Sequence, residues 1–295
     1  MLKVFILGFM LSSAAFANHL EKVCETATTA NPVWEEGLVA YRDLSTREFH
    51  ITSHGGMIIA SSSDAIRGVI QDGLSIWALT ARYLIETNAT GEVVNSYEVE
   101  DSGLPYIRAL SMVRAGNILV ISRGAGGLIG FDLTKREIVW TNRMSGDDEG
   151  FPSALAFNGS KVYAAAATSQ ENGFTGIITI DPVSGMIERR VAYDVARWGV
   201  LDVDAKARMH GESLVLNNGG WIHVITKAQL EGSKKIRPRW VAQVVPQNGS
   251  VNQHYLMLSG EFLVEDGYVK GCGVYTAFEE GSYVRKSRLS LIKLP

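Results

Sequence analysis

From about residue 37 onward, apolar and polar positions alternate with a period of two, broken by short polar turns. The clearest example is GLIGFDLTKREIVW, residues 127 to 140. A short alternating strand runs into a polar turn, and a second alternating strand leaves it and ends on a tryptophan. The same pattern occurs in GLVAYRDLSTREFHIT (37 to 52), which matches residues 127 to 142 with one extra residue at the turn. It occurs again in LIETNATGEVVNSY (84 to 97), in GIITIDPVSGMIERR (176 to 190) and, with a longer turn, in IHVITKAQLEGSKKIRPRW (222 to 240). Turns such as Asn88-Ala89-Thr90-Gly91 and Asp181-Pro182-Val183-Ser184-Gly185 are rich in residues that accept or preset turn dihedrals. Each segment therefore reads as a hairpin.

Two more short strands precede most of these hairpins, split by residue-Gly pairs. The pairs are Asp72-Gly73, Ala115-Gly116, Asn158-Gly159, His210-Gly211 and Ser259-Gly260, so the glycines recur at spacings of 43, 43, 52 and 49 residues. A four-strand unit repeating every ~40–50 residues predicts a β-propeller blade. One antiparallel blade cannot bury both of its faces alone, so blades stack and cover one another. Helix-length stretches with three-to-four spacing are absent outside the N-terminus and 18 to 27, and a β-sandwich does not explain the recurrence. The expected fold class is thus all-β, a single propeller of four-stranded antiparallel blades. Six blades fit the count best, with five or seven as neighbouring solutions. The hairpin at 37 to 52 lacks a preceding strand pair, so N-terminal strands are expected to join the C-terminal blade, whose last strand is RLSLIKL (288 to 294). Such closure leaves no unpaired inner edge.

The pattern Gly-apolar-apolar-small-apolar-Asp, a Thr/Ser-rich turn and a strand ending in Trp resembles the repeat of the quinoprotein-like (PQQ-like) β-propellers. Gly127 to Trp140 carries it best; Thr175 to Arg190 keeps Asp181 and the Ser-Gly turn without the Trp, and Trp240 recovers it. The resemblance spans about residues 37 to 292 and shares much of its grammar with YVTN and WD40 propellers. It implies the repeat and not the chemistry. A quinone-dependent dehydrogenase of that family has a larger, eight-bladed ring, and its adjacent cysteine pair and calcium-and-quinone residues are not found here. The resemblance points to the non-enzymatic branch, with scaffold propellers of the outer-membrane assembly machinery as the nearest analogy.

The N-terminus adds a cellular address. MLKVFILGFMLSSAAFA places Lys3 before an apolar core and ends in Ala15-Phe16-Ala17, the layout of a signal peptide cleaved near Ala17. Its apolar run is shorter than the ~20 residues of a membrane-spanning helix, and no later segment is long and apolar enough to span a bilayer. The expected organisation is a signal peptide at 1–17, an extension at 18–36 and the propeller at 37–295, exported to the periplasm or the extracellular space. In such a compartment the two cysteines, Cys24 and Cys272, read either as a disulfide closing nearly the whole chain or as two buried thiols. The formal charge of −3 and the lack of a basic patch beyond Lys234-Lys235 with Arg237 and Arg239 argue against nucleic acid as a partner.

Candidate chemistry lies in the loops that do not repeat. Aligning the inner strands on their Gly turns brings Arg67, Arg108, Ser153, Asp204 and His254 to one channel mouth. This ring is the candidate binding site, although propeller channels are polar whatever their function. The loop SGDDEGF, with Asp147, Asp148 and Glu149, and the loop tryptophan Trp198 are the candidate docking positions for a protein or peptide. The acidic triplet lacks the alternate-residue ligand spacing of a calcium loop. Arg123-Gly124-Ala125-Gly126-Gly127 is followed by a strand, so the helix N-terminus that would hold a phosphate is missing. The histidines show no metal-ligand spacing, and no serine sits in a nucleophile elbow. Asn88, Asn158 and Asn248 match the glycosylation pattern, all in turns where Asn is expected anyway. Trp77, Trp140 and Trp240 read as packing between blades. No cofactor, metal or catalytic residue is expected, and the chain reads as a non-catalytic scaffold, a monomer or part of an envelope complex. The alternative is a small propeller enzyme, a lactonase-like metal hydrolase or a glutaminyl-cyclase-like acyl transferase, using Asp204, His254, Glu149 and Asp202.

Overall fold

The computed structural model describes residues 23–24, 33–35, 37–43, 46–53, 58–99, 109–144, 150–168, 173–194, 201, 205–218, 221–238, 240–243, 254–279 and 282–295. Strands dominate them. The first sheet holds β1 (Val33–Glu35), β2 (Leu38–Arg42), β3 (Phe49–Thr52) and β4 (Ile58–Ser62), and the second β5 (Gly68–Asp72), β6 (Ser75–Leu79), β7 (Tyr83–Thr87) and β8 (Val93–Glu98). The third holds β9 (Ser111–Ala115), β10 (Ile118–Ser122), β11 (Leu128–Asp132) and β12 (Glu137–Asn142). The fourth holds β13 (Phe151–Phe157), β14 (Val162–Ala167), β15 (Gly176–Ile180) and β16 (Ile187–Tyr193), and gains β20 (Lys235–Ile236) as a fifth strand. The fifth holds β17 (Lys206–His210), β18 (Ser213–Asn218), β19 (Trp221–Ile225) and β21 (Trp240–Gln243). The sixth has three long strands, β22 (His254–Glu265), β23 (Tyr268–Glu279) and β24 (Ser282–Lys293).

Contacts divide the chain into two compact units. One comprises Met1–Thr80, Leu84–Tyr97 and Val244–Leu294, and the other is built mainly of Glu98–Gln243. In the first unit, β1 packs against both β5 and β22; in the second, β13 packs against both β9 and β17. Within each unit, then, the leading strands of consecutive sheets are neighbours, and the sheets lie face to face. Apolar side chains fill the spaces between them. Leu38, Ile51, Val69 and Ile76 do so in the first unit. In the second, Val120, Leu155, Val162 and Ile178 fill one space, and Tyr163, Ile177, Leu214 and Leu216 fill the next. All six residues of β14 are buried, four of them alanines, as befits a strand covered on both faces.

Local chemistry sets the hairpins. Gly73, Gly116 and Gly211 each open a two-residue loop at φ of 59°, 64° and 55°, values for which glycine carries no steric cost. The Asp of the repeat organises the later hairpin. Asp132 Oδ1 accepts the backbone N–H groups of Thr134 and Lys135, each at 2.9 Å, and Asp181 Oδ1 accepts those of Val183 and Ser184 at 3.1 and 2.8 Å. Asp43 Oδ1 accepts Thr46 N–H at 3.2 Å. Four residues after each Asp the chain turns left-handed, at Arg47, Arg136 and Gly185. The three copies share one turn geometry although only one of them places glycine there.

Trp140 joins consecutive sheets. Its indole N–H donates to Pro182 O at 2.9 Å, and Asn142 Nδ2 donates to Gly185 O at 2.9 Å, across sequence separations of 42 and 43 residues. The ring lies over Gly130 of its own sheet and against Gly185 of the next, where an added methyl would stand 2.5 Å from ring carbons. Ser111 Oγ donates to Ser153 O at 2.7 Å across 42 residues. The cross-sheet bonds thus span one repeat.

Three details differ from the sequence reading, and a fourth lies largely outside the described residues. Residues 37 to 52 form β2–β3, the middle pair of a complete sheet, because β1 precedes them and β4 follows. Most of the N-terminal residues expected to complete the sixth sheet lie outside the described residues; Cys24 meets that sheet through a disulfide to Cys272, with Cα atoms 5.1 Å apart. Ser259-Gly260 is not a hairpin turn. β22 runs straight through it with a register shift between Ser259 and Leu263, a bulge of the kind glycine tolerates. The hairpin turn follows at Asp266-Gly267, both left-handed as the type I′ loop requires. Finally, the longer turn of residues 222 to 240 contains a helix, α1 (Lys227–Gly232), and then β20, which pairs in parallel with β16.

Candidate functional site

Arg67 leads into β5, and its backbone N–H donates to Leu79 O at 2.6 Å. Its Nε is buried and meets no hydrogen-bond acceptor among the described residues. Ser153, 2% exposed on β13, spends its hydroxyl on Ala165 O at 3.3 Å while its carbonyl accepts Ser111, so both polar groups hold the sheets. Arg67 belongs to the first unit and Ser153 to the second. His254 is the first residue of β22, and its side chain lies outside the described residues. Arg108, Asp204, Asp202, Asp147, Asp148, Glu149 and Trp198 also lie outside them. Of the expected ring, the structure describes the side chains of Arg67 and Ser153 only.

Other buried polar groups escaped the sequence reading. On β16, the Tyr193 hydroxyl is hydrogen-bonded to His223 Nδ1 on β19, and the two rings stack with centroids 5.8 Å apart. Burial pushes the Tyr193 phenol above its ordinary value and pulls the His223 imidazole down to about 4. Both groups are therefore neutral at pH 7, and the phenol can donate to the ring nitrogen. Each is only 2% exposed. The pair ties the fourth sheet to the fifth without presenting an acid or base to solvent.

Asp194, just past β16, accepts Arg237 Nε at 3.0 Å and lies 3.8 Å from Lys235 Nζ, while its N–H donates to Ile236 O at 3.0 Å. This carboxylate fastens β20 to the fourth sheet. Glu86, 2% exposed on β7, accepts Ser75 Oγ at 3.1 Å and Asn95 Nδ2 at 2.8 Å, a polar ladder running across the second sheet. A sequence signal was available for some of these. Glu86 and His223 interrupt apolar runs within strands, and Thr226-x-x-Gln229 is a capping box that announces α1.

The first unit has a cavity of about 220 Å³ lined by Leu38, Ser53, Ile59, Gln71, Leu74, Ile76 and small residues, with no charged side chain among the described residues. It offers shape but no acid, base or nucleophile. Among the described residues no three His, Cys, Asp or Glu side chains converge as a metal site would, and no helix is long and apolar enough to cross a membrane.

No family model matches the sequence, and no curated protein matches it. Solved structures do. The WD40 domain of Toxoplasma gondii coronin is 10% identical, with 90% of this chain and 71% of that chain covered at a TM-score of 0.53. The Pan2 WD40 domain of Neurospora crassa is 13% identical, with 81% and 70% covered at a TM-score of 0.52. BamB from Moraxella catarrhalis is 10% identical, with 87% and 68% covered at a TM-score of 0.49. The two WD40 likenesses, with the repeated four-stranded antiparallel sheets, establish the β-propeller fold class. At these identities they establish nothing further, since one fold carries many functions.

Proposed function

We propose that the chain is an exported six-bladed propeller of the quinoprotein-like, non-enzymatic type, acting in the periplasm or outside the cell as a protein-binding scaffold. Its signal peptide, residues 1–17, is removed near Ala17; residues 18–36 form an extension and 37–295 the propeller. The observation that carries the reading is how the described sheets use their buried polar groups. Ser153, Glu86, Asp194 and the Tyr193–His223 pair are each bonded to neighbouring strands or turns, so the repeats form a frame and recognition falls to the loops. A disulfide joining Cys24 and Cys272 suits a chain that matures in an oxidising compartment.

On this reading Trp198 and the acidic triplet Asp147, Asp148 and Glu149 contact the partner. The test is affinity capture of the mature protein from its native envelope. Trp198→Ala combined with Asp147→Ala, Asp148→Ala and Glu149→Ala should abolish capture of the partner while the melting temperature stays unchanged. Undiminished capture would show that the docking face lies elsewhere.

A further inference from the structure

We propose that the outer edge of β24 is a docking site for an acidic segment of a partner protein, taken up in extended form as a fourth strand of the sixth sheet. This goes beyond docking on the loop face and stands or falls separately from it.

Three observations lead there. Among the described residues the sixth sheet has three strands where every other sheet has four or five, and β24 pairs with β23 alone. An edge strand turns alternate backbone N–H and C=O groups outward, ready to pair with an added strand. β24 is twelve residues long against six in β8 and β12, so the edge extends for roughly 40 Å at ~3.4 Å per residue.

Its composition is of one sign. β24 carries Arg285, Lys286, Arg288 and Lys293 and no acidic residue, whereas β8 and β12 each include a Glu. Basic residues on an edge can serve as a guard against pairing, but they repel basic strands, cost desolvation against apolar ones and favour an acidic one. Finally, the chain itself shows that an outer edge of this fold accepts another strand. β20 adds to the outer edge of β16, with Ala192 opposite Lys235 and Tyr193 opposite Ile236, and the Asp194–Arg237 ion pair beside it. Backbone pairing supplemented by opposite charges is the same recognition scheme.

Fluorescein-labelled twelve-residue peptides test this on the full mature protein by anisotropy and amide hydrogen exchange. An alternating Thr-Glu peptide should bind, more weakly as salt is raised, and should protect amides over Ser282–Lys293 but not over Glu137–Asn142. A Thr-Lys peptide should not bind, nor a Thr-Glu peptide with two residues replaced by proline. The double variant Arg285→Glu, Arg288→Glu should weaken binding about tenfold, as expected for the loss of two charge pairs, and Arg285→Lys, Arg288→Lys should restore it. Absence of binding would overturn the proposal, as would equal binding of the proline peptide or protection mapped to another strand. Concentration-dependent dimerisation through β24 would also overturn it, making a second copy the occupant. If the charge-reversed variant fails to fold, the peptide comparison on the unaltered protein still decides.

Discussion

In the second unit, the third and fourth sheets hold together through side chains that return with the repeat, whereas in the first unit the sixth sheet is tied by a covalent bond. Trp140 reaches the turn at Pro182–Gly185, one repeat further along the chain. In the sixth sheet, Cys272 on the central strand is bonded to Cys24, 248 residues away. The difference teaches where a repeat protein needs help. Regular units supply each other with matching surfaces. Where the pattern changes, at a sheet of three long strands with bulges between β22 and β23, a cross-link adds to the packing of Val39 and Leu263 around it.

The largest effect should come from removing that cross-link. For a loop of 248 residues the chain-entropy estimate is about 5 kcal/mol, so Cys24→Ser with Cys272→Ser should lower the denaturation midpoint by far more than any single core change. A loss below about 1 kcal/mol would mean that packing alone holds the N-terminal region. Next is the contact between the third and fourth sheets. Trp140→Ala should cost about 3 kcal/mol in equilibrium unfolding, from lost packing and the lost bond to Pro182. Gly185→Ala should also destabilise, because its methyl meets the Trp140 ring at a left-handed φ of 70°. The double variant should lose less than the sum, since the clash disappears with the ring. Strict additivity would refute the contact.

Acid sharpens the comparison further. His223 has a folded value of about 4 against an ordinary 6.5, so between these pH values the unfolded chain binds a proton that the folded chain refuses. Its contribution is complete above pH 6.5 and declines as pH falls toward 4, by up to about 3 kcal/mol. Thermal melts across that range should show this slope, and His223→Gln should flatten it. Asp181 is held below the ordinary carboxylate value, chiefly by the Ser184 N–H and then by its hydroxyl. Its contribution is present above the ordinary value and vanishes only below it, outside the His223 window. The smallest effect belongs to the strand added on the fourth sheet. Arg237 is 68% exposed, so Arg237→Ala should cost no more than about 1 kcal/mol, with the loss of amide protection confined to Lys235–Ile236.

Much of this frame was legible in the sequence because it depends on local rules. Period-two alternation, the residue-Gly turns at 73, 116, 159 and 211, and the Asp of the later hairpin each reflect a backbone requirement that a few adjacent residues meet. Trp140 was legible as packing for the same reason. The misreadings arose where one signal serves two structures. A Gly within a strand can mark a turn or a bulge, and at Ser259-Gly260 the competing Asp266-Gly267 was the stronger hairpin signal. The match of residues 37 to 52 to 127 to 142 identified a hairpin but not its place in the sheet, which depends on β1 and β4. The addition of β20 to β16 was illegible, since nothing local says which sheet a two-residue strand will join. The candidate site was less legible still. Of the expected ring only two side chains are described: the Ser153 hydroxyl is bonded to Ala165 O, and the buried Nε of Arg67 has no partner among the described residues.

The central claim is that repeated residues build the frame and the unrepeated loops recognise a partner. A photoreactive amino acid placed at position 198, and separately at Val183, tests it in the native envelope. Val183 is the control, being 74% exposed in a repeated hairpin turn. The account predicts a discrete cross-linked protein from position 198 and none from position 183. Cross-linking from position 183 with none from position 198 would contradict it.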